Sequence, residues 1–322
     1  FTYYTGFKVN GGEYKLMGLA PYGIPRFTKT IYDNLIDVKE DGSFGLNQKY
    51  FNYCTGLTMT NSKFADLFGH KTRDPNKESL NQFHMDIAAS IQKVTEEIML
   101  KIVKSLKKEF NKPNLCLAGG VALNCVANGK IYKEKIFENI YVQPAAGDAG
   151  GSLGAALAFW HLELKNKRNN LKNNVDYMKG SYLGPEFSDD HIRKELREFG
   201  AVFDTFTQDE IIEKTAKLLS EGKSCGWFQG RMEFGPRALG NRSILADPRS
   251  EETQKKLNLK IKYRESFRPF APSVLADYVS DWFEFNGSSP YMLIVSDIKQ
   301  EKKIEMNNEE KKLFGINKLN IK

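Results

Sequence analysis

The chain has 322 residues, 41% of them hydrophobic and 12% aromatic, with a formal charge of +7, a length that predicts two domains. No apolar run approaches the roughly 20 residues of a membrane span, residues 1–4 carry no secretory signal pattern, and the lysine runs lack the interleaved aromatics of a nucleic-acid groove. Cys54, Cys116, Cys125 and Cys225 form no C-x-x-C pair, which argues for a reducing cytoplasm and against a zinc cluster.

The first half alternates helix and strand signals. From Ser79 to Phe110, apolar residues at Ile87, Ile91, Val94, Ile98, Ile102 and Leu106 recur at spacings of three and four, the mark of an amphipathic helix. Pro113 breaks it. Leu115 to Ala118 then reads as a short buried strand, Gly119-Gly120 as a turn and Val121 to Lys130 as a helix. The unit repeats with a strand at 140–142, a turn at 144–151 and a helix at 153–164. Such alternation predicts an α/β domain with helices packed on a sheet. Residues 166–180, rich in Asn and Lys, read as a linker. Helices follow at 189–199 and 208–221, a strand at 224–229, strands at 244–246 and 271–275, and a helix at 251–261 between the last two. The charged tail beyond Ile298 yields no reading, and no internal repeat is present.

The strongest chemical signal lies between Gly226 and Arg268, where six arginines stand among turn-forming glycines and prolines. Arginine meets phosphate and carboxylate with a planar fork of donors and stays charged at any working pH. Arg231, Arg237, Arg242, Arg249, Arg264 and Arg268 therefore predict an oxyanion pocket, with Asn241 and Ser243 as neutral donors beside them. Arg249, next to Asp247-Pro248, reads instead as structural. Arg264 and Arg268, four apart, would point the same way if their turn were helical. Lys223 and Lys262 are second choices. The bland alternative is a set of salt bridges to Glu233, Asp247, Glu251, Glu252 and Glu265. Neither a Walker P-loop nor a Gly-x-Ser-x-Gly elbow is present.

Five segments taken together resemble the O-carbamoyltransferase family, which includes nodulation, tobramycin and cephalosporin carbamoyltransferases. They are GEYKLMGLAPYG (Gly12 to Gly23), LAGGVALNC (Leu117 to Cys125), QPAAGDAGGSLGAAL (Gln143 to Leu157) and the two arginine segments, Gly226 to Arg249 and Tyr263 to Pro272. The resemblance implies an actin- and hexokinase-like ATPase domain over 1–165, a linker over 166–180 and a YrdC-like α/β domain over 181–322. It also implies a two-stage chemistry. Carbamoyl phosphate and ATP give a carbamoyl-adenylate, and the carbamoyl group then passes to the hydroxyl of a small-molecule acceptor such as a sugar or natural product. By the same resemblance, Arg264, Arg268 and Arg237 carry catalysis, and Arg231, Asn241, Arg242 and Ser243 join them on carbamoyl phosphate and ATP.

Adenylate contacts are implied at Lys15, Gly119, Gly120, Asn124, Gly150, Gly151 and Ser152, and Asp148 as a ligand to a divalent metal, typically iron. For each, a structural reading stands beside the functional one. Gly119-Gly120 also suits a tight packing turn, Asn124 a local cap, Asp148 a helix N-cap and Lys15 a surface pair with Glu13. The family's His-x-x-x-His metal pair has no counterpart, since His70, His84, His161 and His191 are scattered and none are four apart. The late strands of the family are missing as well, so the chain is expected to be the middle of a longer enzyme. A homo-oligomer is compatible with this reading, a membrane or nucleic-acid partner is not expected, and a threonylcarbamoyl-type tRNA-modifying protein or a non-catalytic nucleotide-binding regulator are the alternatives.

Overall fold

The computed structural model of the chain describes residues 1–168 and 176–321. The central part of the expected linker, 169–175, lies outside the described residues. The expected α/β class holds in coarse form: among the described residues helices predominate and the strands form three small two-stranded sheets.

The organising element of the first half is a helix of 29 residues, α4 (Gln82–Phe110), preceded by α1 (Glu13–Leu19), α2 (Thr28–Asn34) and α3 (Ser62–Phe68). Asn81 accepts the backbone N–H of His84 to start α4, and Asn111 ends it in a left-handed conformation at φ 44°. The helix begins at Gln82 rather than Ser79 because Asn81 caps it. Its apolar residues at Ile87, Val94 and Ile98 bury against Ile31, Leu35, Phe64 and Phe68, with Tyr4 in the same core. A turn further round, Met85 and Ala88 pack on Leu16 and Leu19 of α1. Strands β1 (Ile36–Val38) and β2 (Phe44–Leu46) form an antiparallel hairpin beside this layer.

Beyond α4 the chain forms β3 (Asn114–Leu117), a 3₁₀ turn over Gly120–Leu123, α5 (Cys125–Lys133) and β4 (Asn139–Val142). β3 and β4 pair in parallel, Leu115 opposite Ile140, so the connection is a crossover through α5. The helix expected from Val121 is divided because Asn124 leaves helical geometry to cap α5. After β4, α6 (Asp148–Ala158) runs on into a π-helical turn, Phe159–Glu163.

The second half carries α7 (Asp189–Glu198) and α8 (Gln208–Ser220), then β5 (Cys225–Phe228) and β6 (Arg242–Leu245) as an antiparallel ribbon with Phe228 opposite Arg242. The expected helix over 251–261 splits into α9 (Thr253–Lys256) and a π-helical turn, Leu257–Ile261. A short α10 (Val279–Trp282) follows. The strand expected at 271–275 is absent: the segment is irregular and mostly exposed, and Pro272 has no N–H to give to a ladder. The tail forms only isolated 3₁₀ turns.

Two pieces of the second half pack into first-half cores. Phe267 lies buried with Phe7, Leu16, Leu19, Met85 and Ala88. Tyr291 and Leu293 are buried with Ala122, Val142 and Ala146, and Asn128 of α5 donates from Nδ2 to the Leu293 carbonyl at 3.0 Å. Gly129 sits so close to this segment that a Cβ there would meet the Val295 carbonyl oxygen at 2.0 Å.

Candidate functional site

Arg231 and Arg237 lie in the loop that joins β5 to β6, Arg242 opens β6, and one buried carboxylate organises the loop. Glu233 Oε1 accepts the backbone N–H groups of Leu239 at 2.5 Å and Asn241 at 2.9 Å, while its Oε2 lies 3.1 Å from Arg242 Nε. Burial alone would raise the pKa of Glu233, but the two backbone donors and Arg242 outweigh it and hold the carboxyl below its ordinary value. Arg242 further donates to the carbonyls of Gly235 at 2.6 Å and Arg237 at 3.1 Å. It therefore stitches the loop. Ser243 Oγ accepts the Gly240 N–H, and Asn241 Nδ2 donates to the Arg231 carbonyl at 2.7 Å. Arg231 itself is exposed, donates to the Gly184 carbonyl and lies 3.4 Å from Glu186.

Through Gly235 and Arg237 this loop docks on the glycine turns of the first half. Gly235 has φ 122°, a conformation open to glycine, and a Cβ there would stand 3.0 Å from the Pro144 carbonyl oxygen. Arg237 Nη2 lies 3.4 Å from the Leu123 carbonyl, and its buried Nε has no hydrogen-bond partner. Gly119 turns the chain at φ 99° with its N–H donated to the Ala146 carbonyl at 2.8 Å. Space around Gly119, Gly120 and Gly151 is open, whereas a Cβ on Gly150 would meet the Ala145 carbonyl oxygen at 2.1 Å. The 119–124 and 144–151 turns thus share one side of the parallel pair, beyond the ends of β3 and β4.

Asn124 does cap α5, accepting the Ala127 N–H at 3.1 Å, and also exchanges two amide hydrogen bonds with Gln92 of α4. Gln92 in turn donates to the buried Glu96, which is paired with Lys130. Burial pushes the thiol pKa of the adjacent Cys125 up, against the pull of nearby Arg237. A cavity of about 360 Å³ opens beside this line, bounded by Met17, Pro21, Gln92, Glu96, Val126 and Lys130.

A second cationic group forms where the 263–270 segment meets α1. Lys15 Nζ is 2.7 Å from Glu265 Oε1, so its partner is Glu265 rather than Glu13. Arg268 lies over the Tyr14 ring at 4.6 Å and 3.7 Å from Glu265 Oε2. Arg264 lies over the Phe270 ring at 4.5 Å and donates to Asn258 Oδ1 at 2.6 Å. Burial, and then the charge of Arg268, lower the pKa of Arg264. The stretch between these arginines is an irregular turn, not a helix; their proximity comes from aromatic seats on both sides instead. Three cations against one carboxylate leave the group with a net positive charge.

Other expected residues are placed more plainly. Arg249 makes a forked contact with Asp247, as the structural reading holds, and brings the Asp247 pKa down to about 2. Ser152 donates to the Ala149 carbonyl. Asp148 is exposed at the first residue of α6, and Gly147, not Asp148, is the cap. Among the described residues it belongs to no cluster of three or more His, Cys, Asp or Glu donors. Asp148 alone does not fit a metal centre. The residues missed in the sequence are Gln92, Tyr14 and Phe270; Gln92 and Tyr14 act across long separations, whereas Phe270 stands six residues from Arg264, and both aromatics lie inside quoted segments that hint at a role.

A family model for the carbamoyltransferase N-terminus matches residues 1–157, and one for the carbamoyltransferase C-terminus matches residues 216–310. An uncharacterized protein of Synechocystis sp., sll1178, is 58% identical over 323 residues, covering 100% of this chain and 52% of its own length. Nodulation protein NolNO of Sinorhizobium fredii is 36% identical, over 90% of this chain and 41% of its own. Nodulation protein NolO of Bradyrhizobium diazoefficiens is also 36% identical, over 90% of this chain and 50% of its own. The chain thus spans about half the length of these curated relatives. No helix among the described residues is long and apolar enough to cross a membrane. Matched at both its N-terminal and C-terminal parts, the chain belongs to the carbamoyltransferase family.

Proposed function

We propose that this chain provides the adenylate-facing and oxyanion-binding parts of an ATP-dependent O-carbamoyltransferase. Water splits phosphate from carbamoyl phosphate, and an oxygen of the carbamate so formed attacks the α-phosphate of ATP, giving a carbamoyl-adenylate and releasing pyrophosphate. The acceptor hydroxyl, on a sugar or natural product, then attacks the carbamoyl carbon and AMP leaves. In this reading residues 1–165 belong to an actin- and hexokinase-like transfer unit and 181–322 to a YrdC-like unit, joined through 166–180.

The observation that carries the proposal is the contact of Arg237 with the Leu123 carbonyl. It sets a guanidinium with an unpartnered buried Nε beside the open Gly119–Asn124 turn. Buried donors without partners are costly, and an anion at this turn satisfies them. Open space at Gly119, Gly120 and Gly151 lets a nucleotide approach the backbone closely. Arg264, Arg268 and Lys15 supply a positive field for carbamoyl phosphate. Fixed donors of this kind gain most as charge develops on the departing phosphate. Arg242, Asn241 and Ser243 are committed to the loop itself and act by positioning Arg237. Of the ligands implied for iron, this chain supplies Asp148, which joins no donor cluster among the described residues.

The test is to incubate the protein with ATP, carbamoyl phosphate and candidate hydroxyl acceptors. Formation of pyrophosphate, with an adenylate trapped in the absence of acceptor, is expected. Release of neither phosphate nor pyrophosphate sinks the proposal.

A further inference from the structure

One side-chain group away from the arginine loops has an unmet requirement. His70, Glu78 and His84 converge where the 69–81 segment crosses the start of α4, their ligand atoms within 4.8 Å of one another. His70 Nε2 is 3.3 Å and His84 Nε2 is 3.8 Å from the same oxygen, Glu78 Oε1. The His84 side chain is only 1% exposed, and its Nε2 has no hydrogen-bond partner. His70 Nδ1 lies 2.8 Å from the Lys71 carbonyl oxygen. Only an N–H can serve that acceptor, so in the neutral ring the lone pair is on Nε2, facing Glu78. A lone pair against a carboxylate oxygen repels unless a proton or cation lies between them. A proton on His70 relieves that contact and leaves His84 Nε2 unanswered. A metal ion answers both nitrogens at once.

We propose that His70, Glu78 and His84 form a divalent transition-metal site, with zinc the best-matched ion, that clips the 69–81 segment to the N-terminus of α4. Two imidazole nitrogens and one carboxylate oxygen are a common zinc set that leaves a position for water. Nitrogen donors disfavour calcium and magnesium, which take oxygen ligands. His70 and Glu78 are half-buried, so the group has a solvent side through which the ion enters. An outer shell is already in place. The Lys71 carbonyl holds His70, Phe83 stacks on the His70 ring at 4.6 Å, and Asn81 Nδ2 lies 3.5 Å from Glu78 Oε1.

Two features oppose the ion. Arg73 donates to the carbonyls of Glu78 and Thr5 and brings a positive charge nearby. His84 Nδ1 accepts the Asn81 N–H at 3.2 Å. Coordination through Nε2 moves the ring hydrogen to Nδ1, which opens that half of the capping box; the loss is small against two metal–nitrogen bonds. The site is independent of Asp148 and of carbamoyl transfer, and it differs from the cysteine-based zinc cluster that the sequence argues against.

Zinc added to the chelator-treated protein tests this, with binding followed by equilibrium dialysis and metal analysis and folding by circular dichroism. One equivalent is expected in the parent chain and in Asp148→Asn. Glu78→Gln and His70→Ala, both half-buried on the 69–81 segment outside α4, are expected to weaken binding by at least about 100-fold with unchanged helix content. Zinc is also expected to slow amide exchange across 69–81 in the parent chain alone. Absence of stoichiometric zinc, equal affinity in the Glu78 and His70 variants, or loss confined to Asp148→Asn each overturns the proposal.

Discussion

Lys15 and Glu265 stand 250 residues apart in sequence and meet at 2.7 Å, each with 27% of its side chain exposed. This pair ties α1 to the second arginine segment, beside the burial of Phe267 among Leu16, Leu19 and Met85. A double-mutant cycle with Lys15→Met and Glu265→Gln is therefore expected to show a coupling of about 1 kcal/mol, at the upper end of partly exposed pairs. Denaturant unfolding of the four proteins measures it. A coupling indistinguishable from zero removes the pair as a fastening between the halves.

Arg237 and Arg249 differ in what they leave unanswered. Arg249 gives its Nε and one Nη to Asp247 and is otherwise exposed, whereas Arg237 keeps a buried, unpartnered Nε. Arg237→Lys keeps the charge and loses the fork, so carbamoyl phosphate or ATP binding is expected to weaken by about 10- to 100-fold, the value of one or two charge-assisted hydrogen bonds. Arg249→Ala is expected to leave binding within about 2-fold, since it removes an exposed structural pair. Titration calorimetry on both variants separates the roles. Equal effects would return Arg237 to a purely structural part.

Glu233 gives the loop a pH dependence whose sign follows from its geometry. Its folded pKa lies below the ordinary value of a glutamate, so the unfolded chain binds the proton more readily. Stability from Glu233 is then fully present above the unfolded pKa and is lost as pH falls through the folded one. Glu265, held below 4.5 against burial by its bond to Lys15, acts in the same direction. Glu233→Gln retains an acceptor for Leu239 and Asn241 but turns an amide toward Arg242, and a loss of about 1–3 kcal/mol at neutral pH is expected. The difference between the parent and variant should shrink below pH 4.5. A gap that stays constant with pH would contradict the assignment.

How much of this was legible depended on whether the deciding contact was local. α4, α7 and α8 carry their start signals in Asn81, Ser188 and Thr207, and helix periodicity or composition places each to within a few residues. β3 and β4 are bracketed by Pro113, Gly119 and Pro144. The arginine loop is visible as chemistry, but its division into stitching Arg242 and Arg237, which docks on the 119–124 turn, depends on Glu233 being buried, which no local pattern reports. Spacing of four between Arg264 and Arg268 suggested a helix, while aromatic seats at Phe270 and Tyr14 bring them together without one. His70 and His84 are 14 apart and looked scattered; the turn at 69–81 folds one back on the other. Pro272 argues against a strand at 271–275 by its missing donor alone.

Gly150 and Gly151 are neighbours in α6 with opposite requirements, and this separates packing from ligand access. A Cβ on Gly150 meets the Ala145 carbonyl oxygen at 2.1 Å, so the 144–146 turn must move to admit alanine. Gly150→Ala is expected to destabilise by about 1–3 kcal/mol, as overpacking does. Nothing lies within 4 Å of a Cβ on Gly151, and the residue is inside a helix. Gly151→Ala should therefore gain up to about 1 kcal/mol from helix propensity. If the open space at Gly151 receives the nucleotide, the same added methyl stands against it, and affinity for ATP falls as thermal stability rises. That opposite movement is the signature to look for by thermal melting and nucleotide titration on one preparation. A more stable Gly151→Ala protein that binds ATP unchanged would move the adenylate away from α6 and leave the 119–124 turn as its remaining seat.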